Sequence, residues 1–69
     1  MNNLMNFVSD LFRDKEIESR IYAATSRVLS AQGGRPTEGT YKKTLFLLGK
    51  ESMNEREFDY YCRAIQATA

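Results

Sequence analysis

The sequence predicts an all-α fold: a single small domain of three helices, with a long amino-terminal helix packed on a carboxy-terminal helical hairpin. Apolar residues recur three and four positions apart along most of the chain, which is the helical period. Glycine and proline, which end helices, interrupt that pattern at positions 33–36 and at Gly49. No alternating apolar–polar run of useful length appears, so we expect no strand. The expected helices cover about residues 3–32, 37–48 and 53–66.

The composition is that of an ordinary globular protein, with 42% hydrophobic and 28% charged residues. A chain of 69 residues forms one domain at most and buries a smaller share of its surface than a longer chain. Cys62 is the only cysteine and histidine is absent, so a disulfide within the chain is excluded and a zinc site is disfavoured. We therefore expect no cofactor or metal, and stability from helix packing or self-association.

The formal net charge is +1, and it is unevenly distributed. Residues 1–34 have a net charge of 0, residues 35–50 of +3, and residues 51–69 of −2. The overall charge does not by itself indicate a polyanionic partner.

The sequence favours a cytoplasmic location with no membrane contact. No run approaches the ~18 apolar residues of a membrane span. A signal peptide requires basic residues before its apolar segment, and here none precedes the first apolar positions. A single unpaired cysteine also fits a reducing compartment. A membrane-surface helix over residues 3–13 is disfavoured because its polar face lacks Lys and Arg.

The first helix carries two apolar stripes. One comprises Leu4, Phe7, Val8, Leu11 and Phe12, and the other comprises Ile17, Ile21, Ala24 and Val28. At about 100° per residue the stripe centres lie roughly 100° apart around the helix. Either one continuous helix contacts different neighbours along its length, or a fourth helix begins with Asp14 as its cap. Because residues 13–16 contain no Gly or Pro, we favour a continuous or gently kinked helix.

The hairpin begins after Gly33 and Gly34, with Thr37 as the expected cap of the second helix. Its apolar stripe is Tyr41, Leu45 and Leu48, widened by Phe46 and Leu47. Gly49 ends this helix, and Ser52 with Glu55 has the spacing of a capping box for the third. The third stripe is Phe58, Tyr61, Cys62 and Ile65. We expect the hairpin to supply the core.

The sequence contains no motif typical of an enzyme, so we expect a non-enzymatic protein. Without histidine the usual general base at neutral pH is missing. Cys62 lies late in its helix on the apolar stripe, where a cysteine is expected to be buried and inert. Two sets of carboxylates at helical spacing, one being Asp10, Asp14 and Glu18 and the other Glu51, Glu55 and Asp59, are interpreted as solvated faces rather than cation ligands.

The apolar positions exceed what a monomer of this length readily covers, and such a surplus usually marks an interface. Tyr60 beside Tyr61, and Phe46 and Leu47 beside Leu45, cannot all enter one small core. The leading hypothesis is a small regulator or adaptor that forms a homodimer and binds a larger protein. The predicted interface residues are Leu4, Phe7, Val8, Leu11, Phe12 and Tyr60.

The alternative is a nucleic-acid-binding module whose phosphate contacts are Arg35, Tyr41, Lys42 and Lys43. The helix–glycine–helix segment 41–58 resembles a DNA-binding helix-turn-helix, which implies that its second helix reads DNA. That helix begins with acidic residues, however, and Lys50 and Glu55 stand where the motif is usually apolar. The triplet Gly34-Arg35-Pro36 is similar to the minor-groove arms of AT-hooks and serine recombinases. Any phosphate contact is therefore expected before Gly49.

Overall fold

The computed structural model contains three α-helices and no strand in residues 2–68, which confirms the predicted all-α, three-helix fold. The helices are α1 (Asn2–Ala31), α2 (Thr40–Leu48) and α3 (Glu55–Thr68). The structure describes the backbone of residues 2–68 and the side chains of residues 14–68.

Helix α1 is one helix of 30 residues, with no break at Asp14. A helix of that length spans about 45 Å, close to the longest dimension of the molecule, 49 Å against 23 and 16 Å for the other two axes. Residues 2–13 therefore contribute roughly 18 Å of helix before Asp14.

Glycine ends α1 in the way the sequence predicts. Gly33 has φ of 79°, a left-handed conformation that a residue with a Cβ rarely adopts. The Gly34 N–H donates to the Leu29 carbonyl at 2.7 Å and the Gly33 N–H to the Ser30 carbonyl at 3.3 Å. This is a Schellman cap, which satisfies carbonyls that the last turn of a helix leaves open.

Helix α2 begins at Thr40, three residues after the predicted start, because residues 37–40 form a separate turn. The Thr37 carbonyl accepts the Thr40 N–H at 3.1 Å, and Thr40 Oγ1 accepts the Thr37 N–H at 2.7 Å. Thr40 Oγ1 also donates to Gln32 Oε1 at 2.8 Å. The buried Thr40 side chain thereby fixes the start of α2 against the end of α1.

The three helices run up, down and up. The start of α2 contacts Gln32, whereas Leu48 at its end lines a depression with Arg20 of α1, so α2 is antiparallel to α1. Arg56, in the first turn of α3, pairs with Asp14 at 2.6 Å. Helix α3 then returns toward the first turn of α2, where the rings of Tyr61 and Tyr41 lie 5.5 Å apart.

The core is organised by α1 rather than by the hairpin, since α2 and α3 both pack on α1. The buried apolar residues are Ile21, Ala24, Val28, Leu29, Leu45, Tyr61 and Ala64, and the buried polar residues are Thr25, Thr40, Thr44 and Glu57. The expectation that the hairpin supplies the core is therefore wrong.

The buried face of α3 is rotated from the predicted stripe. Glu57, Tyr61 and Ala64 are buried, whereas Phe58 is 46% exposed and Cys62 is only half-buried. Ala64 is fully buried, and a side chain this small on the contact face permits close approach between helices. The prediction that Cys62 is buried is therefore wrong.

A second Schellman cap ends α2 at Gly49, which has φ of 68° and ψ of 33°. The Lys50 N–H donates to the Leu45 carbonyl at 3.0 Å and the Gly49 N–H to the Phe46 carbonyl at 3.1 Å. Gly49 is thus the stop signal that the sequence indicates.

The capping box of α3 is Asn54 with Glu57, not Ser52 with Glu55. Asn54 Oδ1 accepts the Glu57 N–H at 2.8 Å, and Glu57 Oε1 accepts the Asn54 N–H at 2.9 Å. The other carboxylate oxygen, Oε2, pairs with the Lys50 ammonium. Because Glu57 is buried and has this second partner, the helix start lies two residues later than predicted.

Burial acts to raise the pKa of Glu57, but hydrogen bonds from Lys50 and Asn54 and the charge of Lys50 outweigh it and lower the pKa from its ordinary value. The capping interactions therefore depend on a carboxylate that stays ionised in the folded protein.

Thr25 is fully buried, and its hydroxyl has no hydrogen-bond partner among the described residues. A buried hydroxyl without a partner loses its hydration without compensation. We expect Thr25→Val to raise the free energy of unfolding by about 1 kcal/mol, measured by urea denaturation. Thr40→Val is the matched control: it leaves the Thr37 N–H without its acceptor and should lower stability by about 1–3 kcal/mol. Equal destabilisation by both changes would contradict this account of Thr25.

The lowered pKa of Glu57 makes stability depend on acid pH. A group whose folded pKa lies below its unfolded pKa stabilises the fold above the unfolded value and ceases to do so as pH falls through the folded one. We expect unfolding free energy to fall below about pH 4.5, the ordinary value for this group. Glu57→Gln should cost on the order of 1 kcal/mol at pH 7 and flatten this dependence. Glu55→Gln, which removes the same charge at an exposed position of the same turn, is the matched control. A pH profile for Glu57→Gln identical to that of the unchanged protein would refute the assignment.

Candidate functional site

Two consecutive apolar side chains of α2 face away from the core. Phe46 is 84% exposed and Leu47 is 50% exposed. The buried face of this nine-residue helix is formed by Thr40, Thr44 and Leu45. Residues 46 and 47 lie about 100° and 200° around the helix from Leu45, so a single neighbouring helix cannot cover all three.

Beside these residues runs a shallow depression between α1 and α2, which we call the α1–α2 groove. Its two halves share Arg27 and Leu47. One half is lined by Arg20, Ala23, Ala24, Arg27, Leu47 and Leu48, and the other by Arg27, Val28, Ala31, Lys43, Phe46 and Leu47. The floor of the groove is thus apolar. Its α1 side includes three small residues, Ala23, Ala24 and Ala31.

The rim of the groove is basic. Arg20 pairs with Glu16 at 2.9 Å, and both side chains are mostly exposed. Arg27 and Lys43 form no ion pair or hydrogen bond within the part of the chain whose side chains are described. No carboxylate of residues 14–68 lines either half. The surface therefore combines apolar side chains with two cations, Arg27 and Lys43, that have no partner among the described side chains.

The predicted interface falls mostly outside the described side chains. Leu4, Phe7, Val8, Leu11 and Phe12 lie in the first three turns of α1, where only the backbone is described. Tyr60 is half-buried on α3. Because α1 is continuous, the stripe at positions 4–12 stays about 100° away from the stripe at positions 17–28.

The residues of the nucleic-acid hypothesis are in two environments. Arg35, Lys42 and Lys43 are exposed. Tyr41 is half-buried; its ring lies 5.8 Å from that of Phe58, and its hydroxyl accepts the Met53 N–H at 3.1 Å. Tyr41 therefore connects α2 to α3, and Lys43 belongs to the rim of the groove.

Burial of the aromatic cluster has one electrostatic effect. Tyr61 packs against Tyr41 and Phe58, and its burial, together with the nearby Cys62 and Tyr41, raises the pKa of the phenol. Tyr61 is therefore neutral at physiological pH and acts as a core residue rather than a titrating one.

One carboxylate of each set forms an ion pair, and Asp10 lies outside the described side chains. Asp14 pairs with Arg56, and Asp59 pairs with Arg63 at 3.0 Å. Among residues 14–68, no three acidic or cysteine side chains converge to hold a metal ion. In the same described part of the chain, no helix is both long enough and apolar enough to cross a membrane.

Comparison with known proteins gives no relative: no protein-family model, curated protein or solved structure matches this chain.

If the α2 surface is free of intramolecular cover, removing its largest apolar side chain should not affect folding. We expect Phe46→Ser to change the free energy of unfolding by no more than about 0.5 kcal/mol. Leu45→Ala, one residue earlier but buried, should cost about 2–5 kcal/mol. Urea denaturation at low micromolar concentration measures both. A loss for Phe46→Ser that matches the loss for Leu45→Ala would show that Phe46 is covered.

Proposed function

We propose that this protein is a non-enzymatic helical interaction protein of a regulatory or adaptor kind. It binds a larger protein through the exposed face of α2 and the adjoining α1–α2 groove, and it self-associates. Its location is proposed to be cytoplasmic.

The observation that supports this proposal is the exposure of Phe46 and Leu47 together. Phe46 is exposed over 84% of its surface and adjoins a half-exposed leucine, so both leave apolar area in water. Covering this area with a partner lowers the free energy. Single exposed apolar residues are common, but two that adjoin a groove fit a protein-binding surface. The rim of the groove also offers Arg27 and Lys43, which have no partner among the described side chains, for polar contacts.

Self-association is proposed to involve the amino-terminal part of α1. The apolar positions from Leu4 to Phe12 form one stripe on a continuous helix. A stripe of this kind is typical of a helix that packs on another helix. Because the stripe at positions 17–28 lies on the part of α1 that packs on α2 and α3, the stripe at positions 4–12, about 100° around the helix, is proposed to bind a second copy.

Site-specific photo-cross-linking tests the proposed surface. With p-benzoylphenylalanine in place of Phe46, we expect irradiation in host cells to join the chain to another protein. Self-association through α2 would instead give a product of about 16 kDa, twice the mass of the 7.9 kDa chain. The matched control carries the same residue in place of Ser19, which is exposed on α1 and lies about 160° around it from the buried Ile21.

A surface that binds protein yields products at position 46 that are absent at position 19. Equal or absent cross-linking at the two positions would overturn the proposal. A product at position 46 that nuclease removes would instead support the alternative, contact with nucleic acid through Arg35, Lys42 and Lys43.

A further inference from the structure

The α1–α2 groove is long enough for three turns of a bound helix. Along α1 it extends from Arg20 to Ala31, which corresponds to about 16 Å, or three helical turns. Its α1 side presents Ala23 and Ala31, whose small side chains permit close approach of a backbone. Its α2 side presents Phe46 and Leu47, which are large enough to insert between the side chains of a bound helix.

The charges of the rim repeat at a helical interval. Arg20 and Arg27 are seven residues apart in the sequence, which places them two turns or about 10 Å apart along α1. Lys43 lies on the α2 side of the groove, in the half that is also lined by Phe46. Among the side chains of residues 14–68, Arg20 is the only one of these cations with a carboxylate partner, Glu16, and that pair is exposed and readily exchanged.

We infer that the occupant of the groove is an acidic amphipathic helix of a partner protein. Apolar residues of that helix, at positions i, i+3, i+4 and i+7, cover Phe46 and Leu47. Carboxylates spaced seven residues apart on its flanks pair with Arg20, Arg27 and Lys43. This inference rests on the proposed protein-binding function and adds the chemistry of the partner.

A second copy of this chain does not fit the same description. The amino-terminal segment 2–13 is amphipathic but carries one acid, Asp10, and one base, Arg13. The acidic segment 51–59 leads into α3, whose buried face already packs on α1, and of its exposed carboxylates Asp59 is paired with Arg63. The charge of the groove therefore points to a different protein.

Two synthetic peptides of 18 residues test this inference. Both carry leucine at i, i+3, i+4 and i+7; one has glutamate at the flanking positions and the other lysine. In fluorescence anisotropy titrations at low ionic strength, we expect the glutamate peptide to bind about tenfold more tightly, the difference expected from two or three modest rim ion pairs. Added salt should reduce the difference.

Charge reversal of the rim provides the decisive comparison. The double variant Arg27→Glu/Lys43→Glu should reverse the preference and bind the lysine peptide more tightly. The matched control, Lys15→Glu/Arg35→Glu, makes the same change in net charge at exposed positions outside the groove and should keep the wild-type preference. Circular dichroism establishes that each variant folds.

The exposed phenylalanine gives a further test of the same surface. Phe46→Ser should weaken binding of both peptides, because it removes the shared apolar contact. Equal binding of the two peptides, still dependent on Phe46, would overturn the acidic partner while leaving the protein-binding surface intact. Reversal by the control variant, or no binding of either peptide at about 1 mM, where affinity is negligible, would overturn the inference entirely.

Discussion

The buried carboxylate of Glu57 sets the geometry on which the hairpin depends. One oxygen accepts the Asn54 N–H at the start of α3, and the other pairs with Lys50, immediately after the glycine that ends α2. The carboxylate thus joins the end of one helix to the beginning of the next. The register of α3 follows, because a start at Glu55 places Tyr61 and Ala64 toward α1. A start two residues earlier would change which side of α3 could be buried, since each residue turns the helix by about 100°.

The proposed binding surface is a consequence of how short α2 is. With nine residues this helix buries one narrow face, and two of its three buried side chains, Thr40 and Thr44, are polar. The Thr40 hydroxyl donates to Gln32 Oε1, and the Thr44 hydroxyl donates to the Thr40 carbonyl. These side chains therefore position the helix rather than extend the apolar core. The larger apolar residues Phe46 and Leu47 are left outside. A partner protein that covers them adds apolar burial that the small core lacks.

The fold class and the ends of α1 and α2 are predictable from the sequence because they depend on local chemistry. A glycine at the end of an apolar helical stripe adopts the left-handed conformation at both Gly33 and Gly49. The start of α3 is not predictable in this way, since Ser52 with Glu55 and Asn54 with Glu57 both have capping-box spacing. The pairing of Glu57 with Lys50 distinguishes them, and it exists only in the folded chain. The groove is likewise invisible locally: Arg27 and Phe46 are far apart in the sequence and meet because α2 runs antiparallel to α1.

The continuity of α1 also bears on how its first three turns form. An isolated helix of about 12 residues is marginal in water because the first turn fixes several residues for a single hydrogen bond. Residues 14–31 have already met that cost by packing against α2 and α3, so residues 2–13 extend an existing helix one hydrogen bond at a time. Packing of residues 14–31 thus removes the nucleation cost for helix in the residues that precede them. A proline near Asp14 would interrupt the helix there, so that helix in residues 2–13 would have to nucleate separately.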